Sequence, residues 1–470
     1  MLKRDINSII LAVLIMIQPV LDICSFFAIK LEMTAITSML RLAIFGAIMV
    51  YAFILSDKKK AYLIFVGVAG VYWILHMIVA ARDGYELVSD FNGFLRTIQM
   101  PAMTLGFITL FKHSKKFPEE IGKFFAINYI IIAASILLSY VVGMPEYTYQ
   151  GQIGIKGWFF VGNSQSFILS VMAMPAMYYF FHKKCNVGFI VTMVLAFALM
   201  FLLGTQVAFY SIFITIIAFA VILIWNREKR WVIIAVLAVG LAVSVFAYPY
   251  SVMNRITMAE QDAQNRWEDV LQKPDDDPNN DEDDLEQEKA DMAEILPNTI
   301  LKNMADRFGV EKVIEVYGGS IDGAELMDTR QKKVNFGLLV MDEKDTLTWL
   351  FGCEDADMRH NGETFDPEND FPAIFFFYGI VGVLLYVVFL GYFALLLLKD
   401  IFKSLKKLPV DKVIISLSLV LSMGCAELSA NVLRRPNASI IISLLLAYAY
   451  YICKVKEEPD HETECDRSGV

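Results

Sequence analysis

Long apolar stretches separated by short polar connections form the main pattern of hydrophobic and polar positions along this chain. Most stretches are about 20 residues long, the length that an α-helix needs to cross a bilayer core of about 30 Å. Twelve transmembrane helices are predicted, near residues 6–29, 34–55, 61–80, 96–111, 121–142, 165–182, 186–204, 206–225, 231–249, 372–398, 411–433 and 437–453. The pattern therefore predicts an all-α polytopic membrane protein.

Basic residues recur in every second connection between these helices, and Lys and Arg are retained on the cytoplasmic side of a membrane. The basic connections carry Lys58, Lys59 and Lys60, then Lys112, Lys115 and Lys116, then Lys183 and Lys184, then Arg227, Lys229 and Arg230, and finally Lys399, Lys403, Lys406 and Lys407. Lys3 and Arg4 before the first helix, and Lys454 and Lys456 after the last one, continue the alternation. Both termini are therefore predicted to be cytoplasmic.

This topology divides the chain into helices 1 to 9 in residues 1–249, a large extracytoplasmic loop in 250–371, helices 10 to 12 in 372–453, and a cytoplasmic tail in 454–470. Within the loop, 250–271 has helical periodicity, 274–291 is an acidic tract predicted to be disordered, and 292–353 is predicted to form short amphipathic helices. The tract also fits the ligand spacing of a calcium-binding loop. However, Asn280 replaces the required glycine and Pro278 interrupts the loop, so a solvated linker is favoured.

The composition excludes a soluble globular protein. Hydrophobic residues make up 56% of the 470 residues, and the mean hydropathy is +0.51. A soluble chain of this length could not shield that many apolar side chains from water. Much of the net charge of −10 lies in the acidic tract, so it does not indicate a nucleic-acid partner. The six cysteines lack metal-ligand spacing, and neither a metal site nor a disulfide framework is expected.

Polar residues inside the predicted helices lie mostly in the outer halves. A charged side chain at the bilayer centre costs a few kcal/mol, so each one needs a reason. They are Asp22, Arg41, His76, Arg96, Gln206 and Glu427, together with Asn163 to Gln165 at the start of helix 6 and Arg434 and Arg435 in the last outer turn. Snorkelling remains an alternative for Arg96, and a simple interhelical pair remains one for Asp22 and Arg41. The one-sided distribution favours a polar cavity that opens to the outer leaflet.

Arginines at this depth suit the head group of a lipid diphosphate, because guanidinium binds phosphate oxygens bidentately and stays charged. The outer loop contains His360, and Glu368 and Asp370 follow just before helix 10. A histidine or a carboxylate at such a place can remove a proton from an acceptor hydroxyl. A solvated loop without a role is the alternative for His360.

Several short motifs resemble those of the O-antigen ligase and O-antigen polymerase superfamily of bacterial surface-polysaccharide enzymes. In family order they are Gly157 to Gln165, Leu203 to Ala208, Asp328 to Arg330, Trp349 to Gly352, His360 and Asn361, Glu368 to Asp370, and Tyr378 to Gly382. The resemblance covers roughly residues 155–395. One departure is Gln206, which stands where the family commonly has arginine, so a charge role at that position is not expected.

The resemblance implies a GT-C-type membrane glycosyltransferase architecture in the cytoplasmic membrane. It implies an inverting transfer, without metal or other cofactor, from an undecaprenyl-diphosphate-linked glycan to an acceptor hydroxyl, in the synthesis of a capsule or another cell-envelope polysaccharide. Membrane lipids are the other expected partner. The leaving group is expected to be bound by Arg41, Arg96, Arg330, Arg434 and Arg435 with Gln206 and Glu427 beside them, and His360, Glu368 and Asp370 are the catalytic candidates. A polymerase with a glycan acceptor and a ligase with a lipid or wall acceptor both remain open.

A transporter or flippase of lipid-linked sugars is the alternative function. Transporters usually bind their substrate near the bilayer midplane, whereas the polar residues here lie toward one face. Asp355 and Asp357 imitate the metal-binding Asp-x-Asp motif of nucleotide-sugar enzymes. Because nucleotide sugars are not supplied outside the membrane, this match is interpreted as chance.

Overall fold

The computed structural model describes residues 5–83, 86–114, 117–159, 161–271, 295–428 and 431–456. Helices dominate this part of the chain, which forms two compact units. Unit 1 comprises residues 1–67, 96–253 and 388–470, and unit 2 comprises residues 68–95 and 254–387. The acidic tract 274–291, with its calcium-loop template, lies outside the described residues.

Twelve long helices match the predicted apolar stretches. They are α1 (Ile6–Lys30), α2 (Thr34–Leu55), α3 (Lys59–Ala80), α4 (Leu87–Lys112), α5 (Phe117–Val141), α6 (Gly162–His182), α7 (Asn186–Leu203), α8 (Gln206–Trp225), α9 (Trp231–Ala247), α15 (Asp370–Lys403), α16 (Val410–Leu428) and α17 (Pro436–Tyr450). Between α9 and α15 lie α10 (Val252–Leu271), α11 (Lys302–Phe308), α12 (Val310–Val316), α13 (Thr329–Asp342) and α14 (Thr346–Phe351). The prediction of helix in 250–271 and of short helices in 292–353 is confirmed.

Ten helices in the described part of the chain are long and apolar enough to cross a membrane, which confirms an all-α, multi-pass membrane protein. The other two of the twelve, α6 and α16, carry more polar residues, so the count of twelve spans stays a prediction. Large apolar side chains on α2, such as Leu42 and Ile54, are exposed. In a soluble protein such a surface would be a liability, but in a bilayer it faces lipid.

Unit 1 is organised around α6, in which 15 of 21 residues are buried. It packs against α5, α7, α8, α16 and α17. Helices α5 and α6 are antiparallel, since Gly122 near the start of α5 faces the backbone of Pro175 and the Tyr129 hydroxyl donates to the carbonyl of Leu169. A Cβ on Gly122 would lie 2.2 Å from the Pro175 carbonyl oxygen, so the two backbones approach here as closely as glycine allows.

Unit 2 has a small aromatic core of its own. Phe336 of α13 stacks on Phe365 with ring centroids 3.6 Å apart, and Phe308 of α11 meets Phe336 edge-on. The Lys332 ammonium lies 5.1 Å from the centre of the Phe365 ring, and the Arg307 guanidinium lies 5.0 Å from that of Phe336. These contacts hold α11 and α13 to the segment that precedes α15.

A glycine breaks α15 near its start. Gly379 has φ 60° and ψ −172°, a conformation that is essentially restricted to glycine. A Cβ there would lie 2.4 Å from the backbone of Leu350, and one on Gly352 would lie 2.2 Å from the carbonyl oxygen of Phe377. The end of α14 therefore packs backbone to backbone against the break in α15, and the Cys353 N–H donates to the Phe376 carbonyl at 2.8 Å.

Candidate functional site

Asp22 and Arg41 form an ion pair inside unit 1. The Arg41 guanidinium donates to one carboxylate oxygen of Asp22 at 2.6 Å, and the Asn437 amide donates to the other at 3.2 Å. Both charged side chains are largely buried. The pair thus joins α1, α2 and α17, which fits the interpretation as an interhelical pair, and Asp22 offsets the charge that Arg41 could offer to a ligand.

A small cavity of about 20 Å³ lies beside Arg41, with room for about one water-sized group. It is lined by Gln18, Leu21, Arg41, Ile44, Phe45, Gln99, Met103, Pro436 and Ile440. The Gln99 amide donates to the Pro436 carbonyl at 3.3 Å, which fixes the first turn of α17 beside α4. Of the polar residues predicted near the outer leaflet, Arg41 alone lines this narrow cavity.

The Arg434–Arg435 turn meets the beginning of α6. The Arg435 guanidinium donates to the Ser164 hydroxyl at 3.1 Å, and Arg434 donates to the Asn431 side chain at 2.9 Å. Among the residues that the structure describes, no side chain caps the N-terminus of α6, where Val161 is the N-cap residue. The first N–H groups of a helix lack intrahelical partners and carry a partial positive charge. A guanidinium and a helix N-terminus therefore converge, an arrangement that favours an anion.

Three predicted ligand-binding residues stand apart from this arrangement. Arg96, Gln206 and Glu427 are exposed, and within the described ranges their side chains make no ion pair or hydrogen bond. Gln206 begins α8 after a tight turn in which Gly204 adopts a left-handed conformation and the Thr205 side chain caps the helix. The tight turn and the helix cap thus account for the glycine and the threonine of the Leu203 to Ala208 motif. The role of Arg96, Gln206 and Glu427 in ligand binding stays a prediction.

In unit 2 the structure pairs two predicted site residues with each other. Glu368 lies 3.5 Å from Nε of Arg330 and 3.3 Å from Nζ of Lys333, both on α13. Asp328 caps α13 by accepting hydrogen bonds from the backbone of Arg330 and of the next residue. Two cations therefore hold the Glu368 carboxylate, while Asp370 is completely buried in the first turn of α15.

His360 lies on a two-stranded hairpin of β1 (Arg359–His360) and β2 (Glu363–Thr364). Asn361 and Gly362 form its turn with φ 48° and 79°, as in a type I′ turn, for which Asn-Gly is the preferred sequence. Lys332 pairs with Glu363, and Asn303 donates to the other oxygen of that carboxylate at 2.8 Å. The hairpin is firmly held, whereas the half-buried His360 ring has no hydrogen-bond partner among the described residues.

His76 lies in a buried polar cluster. The sequence identified His76 only as a polar residue in a predicted helix and did not indicate the cluster. His76 is fully buried, with Nδ1 2.7 Å from the Phe351 carbonyl and Nε2 2.9 Å from the Asp90 carboxylate. Trp73 also donates to Asp90, at 3.2 Å, and the Tyr72 hydroxyl reaches the carbonyls of Phe351 and Tyr378. The cluster therefore holds the end of α14 against the break in α15. Apart from Asp90, its partners are the backbone carbonyls of Phe351 and Tyr378, which are remote in sequence, so no local motif could reveal them.

The carboxylates near the hairpin are mostly engaged. Asp355 pairs with Arg359, and Asp357 lies 3.0 Å from the Lys344 ammonium. Burial is the largest influence on the Glu354 carboxyl and raises its pKa, and nearby carboxylates raise this pKa further. The backbone N–H of Glu86, which donates a hydrogen bond to the carboxylate, lowers the pKa. Among the residues that the structure describes, no three metal-ligating side chains are grouped. The Asp-x-Asp sequence is thus part of a salt-bridge network.

Comparison with known protein families identifies a match. The model of a family described as O-antigen ligase like membrane protein matches residues 4–458, nearly the whole chain. A search of curated proteins finds no match. The family match supports a membrane glycan-transferring or ligase function.

Proposed function

Because this chain belongs to the family of O-antigen ligase-like membrane proteins, we propose that it transfers a glycan from a lipid-diphosphate donor to an acceptor hydroxyl at the outer face of the cytoplasmic membrane. The donor lipid is undecaprenyl diphosphate, the anomeric configuration is inverted, and no metal takes part. The product is a cell-envelope polysaccharide, made by a polymerase or a ligase.

The meeting of Arg435 with the start of α6 is the observation that carries this proposal. Arg435 donates to Ser164 in the first turn, where the helix N-terminus already favours negative charge. A diphosphate leaving group develops charge as the glycosidic bond breaks, and guanidinium with backbone N–H groups stabilises that charge best. Arg434 lies beside it, and Arg41, Arg96 and Arg330 are assigned to the same leaving group by their charge.

His360 is the preferred general base of this reaction. Its ring has no competing partner in the described part of the chain, whereas Glu368 is held by Arg330 and Lys333. In the proposed step, Nδ1 or Nε2 of His360 takes the proton of the acceptor hydroxyl, the acceptor oxygen bonds to the anomeric carbon, and the bond from that carbon to the diphosphate oxygen breaks. The diphosphate lipid departs with the electron pair. Glu368 then positions Arg330, and Asp370 supports the start of α15.

Transfer by the purified protein tests the proposal. With a lipid-diphosphate glycan and a chelator present, the wild type should extend or attach the glycan. Arg435→Lys keeps the charge but loses the fork of the guanidinium, so we expect at least a tenfold loss of rate (about 1.4 kcal/mol of barrier), and a larger loss for Arg435→Ala. Arg266→Ala is the matched control, since Arg266 is an exposed arginine of α10.

His360→Ala should reduce the rate roughly 10²–10⁴-fold without loss of folded protein. A normal rate for His360→Ala together with an inactive Glu368→Gln would transfer the role of base to the carboxylate. Transfer that requires a divalent ion would contradict the metal-independent reaction and point to Asp355 and Asp357. Movement of the intact donor across a bilayer, without consumption, would support the flippase alternative instead.

The proposed orientation in the membrane has a separate test. Reporters fused at Lys59 and at Lys406 should be cytoplasmic, since both lie in basic connections. An epitope placed within residues 274–291 should be accessible to external protease in cells without an outer membrane. Protection of that epitope would reverse the assignment of the loop.

A further inference from the structure

Gln165, in the first turn of α6, is a buried polar side chain without a partner in the described part of the chain. It is only 3% exposed, and neither its amide nitrogen nor its amide oxygen forms a hydrogen bond with a described residue. Buried polar groups in proteins are nearly always hydrogen-bonded, so an isolated carboxamide indicates a function other than packing. Side chains of an α-helix point toward its N-terminus, which directs this amide toward the start of α6.

Ser135 of α5 lies opposite Gln165. Asn128 of α5 contacts Met172 of α6, with the amide nitrogen 3.8 Å from the sulfur. Ser135 comes seven residues after Asn128, and Gln165 comes seven residues before Met172. On antiparallel helices these equal steps of about two turns lead to the same level and the same face. Ser135 is also buried, 5% exposed, and its hydroxyl forms no hydrogen bond with any residue in the described ranges.

The chemistry of this pair differs from that of its neighbour Arg435. A carboxamide and a hydroxyl each offer a donor and an acceptor and carry no charge. They suit an uncharged group that both donates and accepts. Arg435 bonds to Ser164, one residue before Gln165, and provides the positive charge. The start of α6 therefore brings a positive charge, which suits an anion, close to uncharged polar side chains that suit an uncharged polar group.

We infer that Gln165 and Ser135 bind the hydroxyl or acetamido substituent of the sugar that is attached to the diphosphate, while Arg435 and the N-terminus of α6 bind the phosphate. This inference rests on the proposed function and assigns the donor sugar to a subsite. The site selects donors by hydrogen bonding, because a buried polar group left without a partner makes a wrong ligand costly.

Two binding probes test this subsite in the full-length protein in lipid nanodiscs. One is undecaprenyl diphosphate, and the other is undecaprenyl diphosphate bearing a single N-acetylhexosamine. Gln165→Leu keeps the size of the side chain and removes its polar atoms. The variant should bind the sugar-bearing probe about tenfold more weakly and the sugar-free probe as the wild type does. A ratio of the two affinities equal to that of the wild type overturns the inference.

Thermal unfolding without ligand separates binding from structure. Burying a carboxamide that forms no hydrogen bond costs free energy on folding. Gln165→Leu removes this cost, so its melting temperature should be higher than that of the wild type. Ser170→Ala is the control, since Ser170 is a second buried α6 hydroxyl without a partner, and it should leave both affinities unchanged. A lower melting temperature with both probes weakened equally assigns Gln165 to structure and overturns the subsite.

These outcomes also separate the subsite from the proposed function. If the wild type fails to transfer glycan but Gln165→Leu still loses selectivity for the sugar-bearing probe, the subsite stands and the reaction is wrong. If transfer proceeds and the affinity ratio of Gln165→Leu matches that of the wild type, the reaction stands and the subsite is wrong. Gln165→Asn, which keeps the amide on a shorter side chain, should recover part of the lost selectivity.

Discussion

Replacing Gly379 by alanine should strongly destabilise the contact between the end of α14 and the break in α15. At φ 60° and ψ −172°, a residue with a Cβ is strained by about 1–3 kcal/mol. The added Cβ would also lie 2.4 Å from the backbone of Leu350 and 2.5 Å from the Phe351 nitrogen, and such overpacking costs about another 1–3 kcal/mol. Backbone atoms cannot rotate away, so we expect a total of about 2–6 kcal/mol.

The same helix supplies the control. Gly391 has ordinary helical geometry, and nothing lies within 4 Å of a Cβ built on it. Gly391→Ala should therefore be neutral or should stabilise α15 by about 0.5–1 kcal/mol. The two variants would be compared by thermal unfolding of the purified protein and by limited proteolysis of the segment between α14 and β1. Gly379→Ala should melt at a clearly lower temperature and be cleaved faster.

Equal melting temperatures for Gly379→Ala and Gly391→Ala would refute the reasoning, since they would show that the backbone approach at Gly379 is not needed. A lower melting temperature without faster cleavage near Phe351 would also contradict it. In that case the strain at Gly379 would act elsewhere in α15, and the His76 cluster would not depend on the close approach.

Three further predictions concern buried charges. His76→Phe should cost about 3–5 kcal/mol in thermal unfolding, because it removes the imidazole from the buried Asp90 carboxylate, and a loss below 1 kcal/mol would contradict this. Burial raises the pKa of the Glu354 carboxyl above its ordinary value of 4.5, so the protonated carboxyl stabilises the fold, and this stabilisation is complete below pH 4.5. The stabilisation is lost as the pH rises through the higher pKa of the folded state. Glu354→Gln should thus melt higher than the wild type at pH 7 and equally near pH 4, and the opposite order would refute the assignment. Asp22→Ala and Arg41→Ala should each lower the free energy of unfolding by more than half of the loss in the double variant, because each single change leaves one buried charge without its partner. Losses that simply add in the double-mutant cycle would disprove the coupling of the pair.

The fold could be predicted from the sequence because lipid imposes a simple rule on length and polarity. Predicted and observed helix ends mostly agree within a few residues, as in the first helix, predicted as 6–29 and observed as Ile6–Lys30. The larger error is α4, predicted to begin at 96 and observed to begin at Leu87. Its first turns contain Ser89, Asp90 and Asn92, which an apolar pattern excludes, yet Asp90 is buried there by its bonds to His76 and Trp73.

The candidate site could be predicted only as a set of residue types. The charge pattern drew attention to Arg435, but its partner Ser164 is far away in sequence and follows from the packing of α6 against α17. Glu368 and Arg330 were expected to have separate tasks, and the structure pairs them, because the segment before α15 folds back onto α13. The type I′ hairpin of His360 is the exception. Its Asn-Gly signal was in the sequence and could have been used.

The enclosure of α6 has a consequence for how the protein is made. Because α6 is buried along most of its length and carries buried Ser and Gln side chains rather than a lipid-facing apolar surface, it gains little by entering lipid alone. Two of its neighbours, α16 and α17, are synthesised only after residues 183–409 have left the ribosome. Assembly at the translocon must therefore keep α6 beside α5 and α7 until the last helices arrive. The helix that carries the proposed donor subsite therefore reaches its buried position only when α16 and α17 have been made.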